Sequence, residues 1–235
     1  MAEFDRVRFA EAIAYLSNKI PSDYQGTVPA EIHDRAFLIR GITQIEWLEE
    51  IQDLLVKHLD PPSEEYENSV ESFLSSFREV VGRQGQLFSD KRVERIYHTN
   101  LRSAETVGRE QQIEATGLPY LIWVHRTPPP EMGGQPRPEH QALDYRRSGQ
   151  CFRVDDPEIK RIPRGQCAWG CRCAVFAISE SSRQARGLTV AAFPKAEMIA
   201  DAAFLRGGTN SEILENTLNR ITDPRLRDRL QEDQG

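Results

Sequence analysis

The chain has 235 residues, 39% of them hydrophobic and 28% charged, with 36 acidic against 30 basic side chains for a net charge of −6. That balance suits a chain with a buried core and excludes one whose main task is to coat nucleic acid. No run approaches the roughly 18 uninterrupted apolar residues that a membrane-spanning helix needs.

The amino terminus, MAEFDRVRFAEAIAYL, is charged and amphipathic, without the apolar run and small-residue cleavage site of a signal peptide. The expected compartment is therefore a cytosol, where the four cysteines begin as reduced thiols. Residues 5–19 place Phe9, Ile13 and Leu16 on one helical stripe, ended by IPSDY. PAEIHDRAFLIRG, residues 29–41, reads as a short helix with Pro29 in its first turn and Gly41 as its stop. In TQIEWLEEIQDLLVKHL, Ile45, Leu48, Ile51, Leu55 and Leu59 keep near-3.6 spacing, and Thr43 is the expected N-cap. The next helix begins after Pro61-Pro62, with Ser63 as cap, Val70, Phe73, Leu74, Phe77 and Val81 inward, and Gly82 at its end. A longer helix over about 89–115 lines up Val93, Ile96, Tyr97, Leu101, Ala104 and Val107. Its basic residues alternate with Glu94, Glu105 and Glu110, the pattern of a salt-bridged scaffold face.

The character changes at Gly117. LPYLIWVHRT (118–127) is β-branched and aromatic and predicts a central strand. PPPEMGGQPRP (128–138) is a loop, PEHQALD forms one or two helical turns, and GQCFRVDD and CRCAVFAIS are two further short strands. Beyond Ser179, SESSRQARG, PKAEMIADAAFLRGG and SEILENTLNRI predict helices, and TDPRLRDRLQEDQG is a charged tail expected to fray. The fold class is α+β: a mainly α-helical N-terminal half, a small β-containing lobe and C-terminal helices. The expected divisions are residues 1–85, 86–180 and 181–235.

Three constellations can carry chemistry. Cys167, Cys171 and Cys173 put three soft ligands within seven residues, and Cys151 or His140 can complete a tetrahedral set, so a structural zinc is one reading. On a strand, Cys171 and Cys173 would share a face about 7 Å apart, and one metal could take both only if the backbone bends. The competing readings are small buried hydrophobes at a loop–strand junction, or a disulfide. In RPEHQALD, His140 and Asp144 are four apart, on one face of a helical turn, where they can share a hydrogen bond or a metal, with Arg137 beside them as an anion binder. Those groups suit either a hydrolase-like acid/base site or a polar network locking the Pro-rich loop. The third is the basic face of the long helix, where Lys91, Arg92, Arg95, Arg102 and Arg109 suggest phosphate contacts; scaffold is the favoured reading and DNA contact the alternative.

RIYHTNLRSAETVGREQQI, LPYLIWVH, RPEHQALD, FRVDDP and GQCAWGCRC follow one another as the motifs of the phage Mu F-like minor head proteins do, and the helical segments before them fit as well. The resemblance covers about residues 5–180, with a Mu F-like domain over 86–180. Carried over position by position, the matching residues are Arg102, Gly108, Tyr120, Trp123, Arg137, His140, Leu143 and Asp144, then Asp155, Asp156, Pro157, Trp169, Gly170, Cys171, Arg172 and Cys173. There are departures. YRRS interrupts the family's L-D-G, His98 replaces a usual Arg, and Cys167 and Cys151 look like local additions. The resemblance implies a structural virion component of a tailed phage or prophage and not an enzyme. It would be located in the head or neck after assembly in the host cytoplasm. Expected partners are the portal protein, the major capsid protein or other head–neck proteins, with packaged DNA as a further contact and no membrane. The network expected to lock the fold is Trp123, Arg137, His140, Asp144, Trp169 and Arg172. The alternative is a metal- or thiol-dependent, hydrolase-like enzyme delivered in the head.

Overall fold

A computed structural model describes residues 10–26, 32, 34–60, 69–82, 88–126, 137–162, 171, 173–201, 205, 211–221 and 223–232, with only the backbone of 211–214 and 231–232. The fold is α+β, as expected. Among the described residues, the first half is built on α1 (Ala10–Ser17), α2 (Ile45–Leu59), α3 (Val70–Gly82) and α4 (Asp90–Thr116). Their apolar stripes meet in one core around Leu16, Leu48, Ile51, Phe73, Phe77 and Tyr97. Gln52, buried in α2, donates from Nε2 to the carbonyls of Leu16 and Lys19 at 2.6 and 2.9 Å. It thereby satisfies acceptors that the end of α1 leaves open.

Two N-caps differ from expectation. Helix α2 is preceded by Gln44, without a side-chain cap, so it starts one residue later than a Thr43 cap would place it. Ser69 caps α3, its Oγ accepting the Ser72 N–H at 3.0 Å. The expected cap Ser63 lies outside the described residues. Helix α4 runs 27 residues and stops at Gly117, whose φ of +61° is a left-handed cap that favours glycine.

The helix expected over 29–41 is corrected where it is described. Residues Ala36–Phe37 form β2, paired in parallel with β1 (Ile20–Pro21). Ala36 and Leu38 pack into one cluster, while Phe37 and Ile39 pack into the helical core. That alternation serves two cores at once, which only an extended backbone can do.

The lobe is a four-stranded sheet of β3 (Tyr120–Val124), β4 (Gln150–Arg153), β5 (Ala174–Ile178) and β6 (Thr189–Ala191), in the order β5-β3-β4-β6. β3 is antiparallel to both neighbours and β4 runs parallel to β6. Leu121, Trp123, Phe152 and Val175 point into one core, against Ile159, Phe193 and Ile199. Ile122, Cys151 and Ile178 face the other way, against Leu188. Between the strands lie α5 (Pro138–Leu143), α6 (Tyr145–Ser148), α7 (Pro157–Lys160) and α8 (Glu180–Ala185).

The edge strand β6 lies between two segments expected to be helical, in a stretch for which no element was expected. PKAEMIADAAFLRGG yields a single 3-10 turn, Ala196–Met198, among the described residues. Side chains explain this. The Asp156 carboxylate accepts the Phe193 N–H and Glu158 accepts the Ala196 N–H, both at 2.9 Å, so these donors are claimed from outside.

The tail is corrected too. After α9 (Ser211–Leu218), residues Pro224–Glu232 form α10, with Asp223 accepting the Arg225 N–H at 2.8 Å as its cap. Ile221, Leu226 and Leu230 pack with Ile32 and Ala36, so the carboxy-terminal helix docks on the small β1–β2 sheet. None of the described helices is long and apolar enough to cross a membrane.

Leu226 is fully buried, whereas Met198 is 69% exposed. Leu226→Ala is expected to cost about 2–5 kcal/mol and to open the carboxy-terminal segment to limited proteolysis, while Met198→Ala leaves the melting temperature near that of the parent. Equal melting of both variants would show that this helix does not dock.

Candidate functional site

The period-two alternation of β3 sends Trp123 inward, and the chain continues through His125 beside the start of α5. Pro138 sits at the first position of α5 and Arg137 precedes it as N-cap, its carbonyl accepting the N–H groups of His140 and Gln141. Asp144 ends α5, bridges Trp123 in parallel register, and caps α6 through the Arg146 N–H at 3.0 Å. YRRS, between Asp144 and Gly149, is one helical turn, and Gly149 takes a left-handed φ of +65° at its end.

Asp144 is 3% exposed. One oxygen accepts the His125 N–H at 3.0 Å, and the guanidinium of Arg146 grips both oxygens at 2.9 and 2.5 Å. The same guanidinium donates to the His125 carbonyl at 3.0 Å. Burial alone would raise the Asp144 pKa, but the Arg146 fork and the two backbone N–H groups outweigh it and hold the carboxyl below its ordinary range. Asp144 thus binds His125 and Arg146, not His140 as its spacing suggested. Helical turns place residues four apart on one face, but Asp144 has already left the helical backbone, with ψ of +118°.

His140 is 1% exposed and donates Nε2–H to the Ile199 carbonyl at 2.7 Å. A carbonyl only accepts, so the neutral ring carries its lone pair on Nδ1. That nitrogen faces two sulfurs, Cys173 at 3.5 Å and Cys171 at 3.7 Å. His125 Nδ1 lies 3.4 Å from the same Cys173 sulfur, and the two imidazoles stand nearly perpendicular at 6.2 Å. Burial and the neighbouring His140 push the His125 pKa down. For His140, burial acts in the same sense, but the contact with Cys171 and the Ile199 carbonyl carry its pKa upward.

Cys171 and Cys173 precede β5 and do not lie in it, so the 7 Å separation of a strand does not apply to them. Cys173 donates its N–H to the Cys171 sulfur at 3.5 Å. Cys151 is not brought to this cluster. It lies on β4, its thiol pointing at the Thr189 carbonyl at 3.7 Å, in the core on the opposite face of the sheet. Alternation along β4 sends Phe152 to the Trp123 side and Cys151 away from it. Arg137 reaches Asp201 at 3.2 Å in a largely exposed pair, worth little by itself. Cys167, Trp169 and Arg172 lie outside the described residues.

Sequence reasoning missed His125, Arg146, Asp201 and the Ile199 carbonyl. His125 was legible: it stands two residues after Trp123 and so shares its side of the strand. Asp201 and Ile199 sit about 60 residues from their partners, and no local pattern marks them.

No known family profile matches the chain, and no solved structure matches it significantly. Two curated proteins do match. One is the F protein of Escherichia phage Mu, which its name assigns to capsid assembly; it is 28% identical over 175 residues, 68% of this chain and 38% of that protein. The other is the FluMu F protein of a Mu-like prophage in Haemophilus influenzae, 30% identical over 168 residues, 67% of this chain and 38% of that protein. The chain thus spans less than two fifths of the length of either relative.

Removing the Asp144 carboxylate strands the buried His125 N–H, so Asp144→Ala is expected to destabilise the fold by about 1–3 kcal/mol at neutral pH. Asp144→Asn keeps the shape but removes the charge and turns one of the two accepting oxygens into a donor. Because the folded pKa is depressed, the charge-dependent stability is complete above the unfolded value of about 3.9 and is lost as pH falls through the folded one. Thermal melts of parent and Asp144→Asn are therefore expected to differ at pH 7 and to converge in strong acid. The part of the gap that varies with pH reports the charge and the constant part the lost acceptor, so a gap with no pH dependence would remove the ion pair from this account.

Proposed function

We propose that this chain, a Mu F-like protein over two thirds of its length, works in head assembly of a tailed phage or prophage as a structural virion component. The observation that carries this reading is the similarity to two F proteins, one of them assigned to capsid assembly by its name. Residues of the matched motifs hold the lobe together: His140 on Ile199, Asp144 on His125 and Arg146, and Asp156 on Phe193. These are scaffold roles, and a rigid scaffold presenting loops is what contact with neighbouring head proteins requires. The partners in this reading are the portal protein, the major capsid protein or other head–neck proteins, with packaged DNA met only through a local patch. The location is the head or neck of the virion, after assembly in the host cytoplasm.

The enzyme reading gives His140 the role of general base, Arg137 that of anion binder, and Cys171 or Cys173 that of nucleophile. A base has to reach a substrate proton. His140 is 1% exposed, with Nε2 committed to a carbonyl and Nδ1 facing two sulfurs, and Arg137 is paired with Asp201. Those commitments favour the structural reading.

The test is deletion of the gene in the phage or prophage that encodes it, with complementation by the parent or by His140→Ala. Electron microscopy scores heads, and mass spectrometry of purified particles scores incorporation. The chain is expected in particles, and its loss is expected to leave few or malformed heads that the parent restores. Normal heads and titre without the chain would overturn the proposal. A His140→Ala chain that melts like the parent and builds normal but non-infectious particles would favour the enzyme.

A further inference from the structure

We propose that His125, His140, Cys171 and Cys173 form a tetrahedral site for a soft divalent cation, zinc, where the end of β3, helix α5 and the approach to β5 meet. The site was legible in the sequence only in part, since Cys151 does not reach it and His125 was not among the candidates. It stands independently of the head-assembly reading.

Distances carry the proposal. Zinc binds imidazole nitrogen at about 2.0–2.1 Å and thiolate sulfur at about 2.3 Å, so two such ligands at a tetrahedral angle stand about 3.5 Å apart. The nitrogen–sulfur separations here are 3.4 Å for His125 with Cys173, 3.5 Å for His140 with Cys173 and 3.7 Å for His140 with Cys171. The ligand atoms of His125, His140 and Cys173 all lie within 4.8 Å of one another. Cys171, half-buried, stands outside that group but is 3.7 Å from His140 Nδ1, and a small shift of its side chain makes it the fourth donor.

Hydrogen bonds alone account poorly for this convergence. With Nε2–H given to Ile199, His140 has one lone pair on Nδ1, and a single lone pair accepts one S–H well, yet two sulfurs face it. His125 Nε2 has no hydrogen-bond partner among the described residues, so the contact of Nδ1 with sulfur is what orients that ring. A cation turns both observations into one: lone pairs from two nitrogens and two sulfurs meet at an electron-poor centre.

The surroundings are those of a metal site. A ligating histidine usually donates its other ring N–H to a carbonyl or carboxylate, as His140 does to Ile199. The Cys173 N–H points at the Cys171 sulfur, which favours the thiolate that a metal needs. Thiolate and imidazole in a tetrahedral set select zinc over the harder cations. Four protein ligands leave no open position, so the site is structural.

The test uses the full chain, purified under reducing conditions. Elemental analysis is expected to find one zinc per chain, and removal by chelator is expected to lower the melting temperature. Cobalt(II) titrated into the stripped protein should show the intense bands of a tetrahedral centre with two thiolates. Cys151→Ser is expected to retain the metal, whereas His125→Ala and Cys173→Ser should weaken cobalt binding by more than the roughly 10–100-fold that an outer-shell change costs. The cobalt spectrum of the parent decides the matter even where a variant fails to fold. A parent chain that takes up neither zinc nor cobalt and melts unchanged in chelator would overturn the proposal. So would loss of the metal in Cys151→Ser with retention in His125→Ala and Cys173→Ser.

Discussion

Asp144 is ionised and 3% exposed, and a carboxylate in that position has to be paired. Taking such a charge out of water costs several kcal/mol unless hydrogen bonds and an opposite charge compensate it. The compensation comes from Arg146, two residues away, and from the backbone N–H of His125, nineteen residues back. Meeting that one need joins the end of β3 to the junction of α5 and α6. It also determines where the side chains next to it point. His125 is held at its backbone by Asp144, and His140 sits one turn earlier on the helix that Asp144 ends. The backbone positions of both histidines are thereby set, and their rings are oriented by the sulfurs before β5 and, for His140, by the Ile199 carbonyl.

The same device recurs through the lobe. Asp156 caps α7 through the Glu158 N–H and accepts the Phe193 N–H with its other oxygen. Glu158 takes the Ala196 N–H, and Asp223 caps α10. The strands are five residues or fewer, so ladder hydrogen bonds are scarce, and carboxylates serve as acceptors for backbone that no ladder reaches. This explains why residues 192–201 carry helix-forming side chains without forming a long helix. The Phe193 and Ala196 amides go to side chains in α7 and before it, and among the described residues only the amides of Met198, Ile199 and Ala200 close a local turn.

Elements with a strong local period could be read directly. The stripes of α2, α3 and α4 follow helical spacing, and the apolar run of β3 has strand composition, so these elements and the α+β class were legible. Thr43 missed the start of α2 by one residue because Gln44 enters the helix without a side-chain cap. The segment around Ala36–Phe37 misled because its apolar residues serve two different cores, and a single-face pattern cannot represent that. The tail misled because charge dominates its composition, although Asp223-Pro224 repeats the Asp156-Pro157 cap that opens α7. At the site, the chemistry of Cys171, Cys173 and His140 was visible in their types. Their grouping with His125 was not, because a sheet register 48 residues long brings His125 to Cys173. Cys151 was miscounted for the opposite reason: it is close in sequence and also in the sheet, but on the wrong face.

The arrangement of the two halves follows from the same contacts. Helix α4 begins in the helical core and ends with Ile113 against the sheet. After the lobe the chain returns, and Ile221, Leu226 and Leu230 close on Ile32 and Ala36 of the first half. The lobe is therefore anchored at both of its ends to the helical half. Inside it, short strands give a small core, and small cores gain most from cross-links that do not depend on area. A cation on His125, His140, Cys171 and Cys173 would tie β3, α5 and the approach to β5 to one point. A lobe fixed at its ends and pinned within loses little conformational freedom on association, so more of its contact energy appears as affinity. In the head-assembly reading proposed above, that rigidity suits contact with neighbouring proteins.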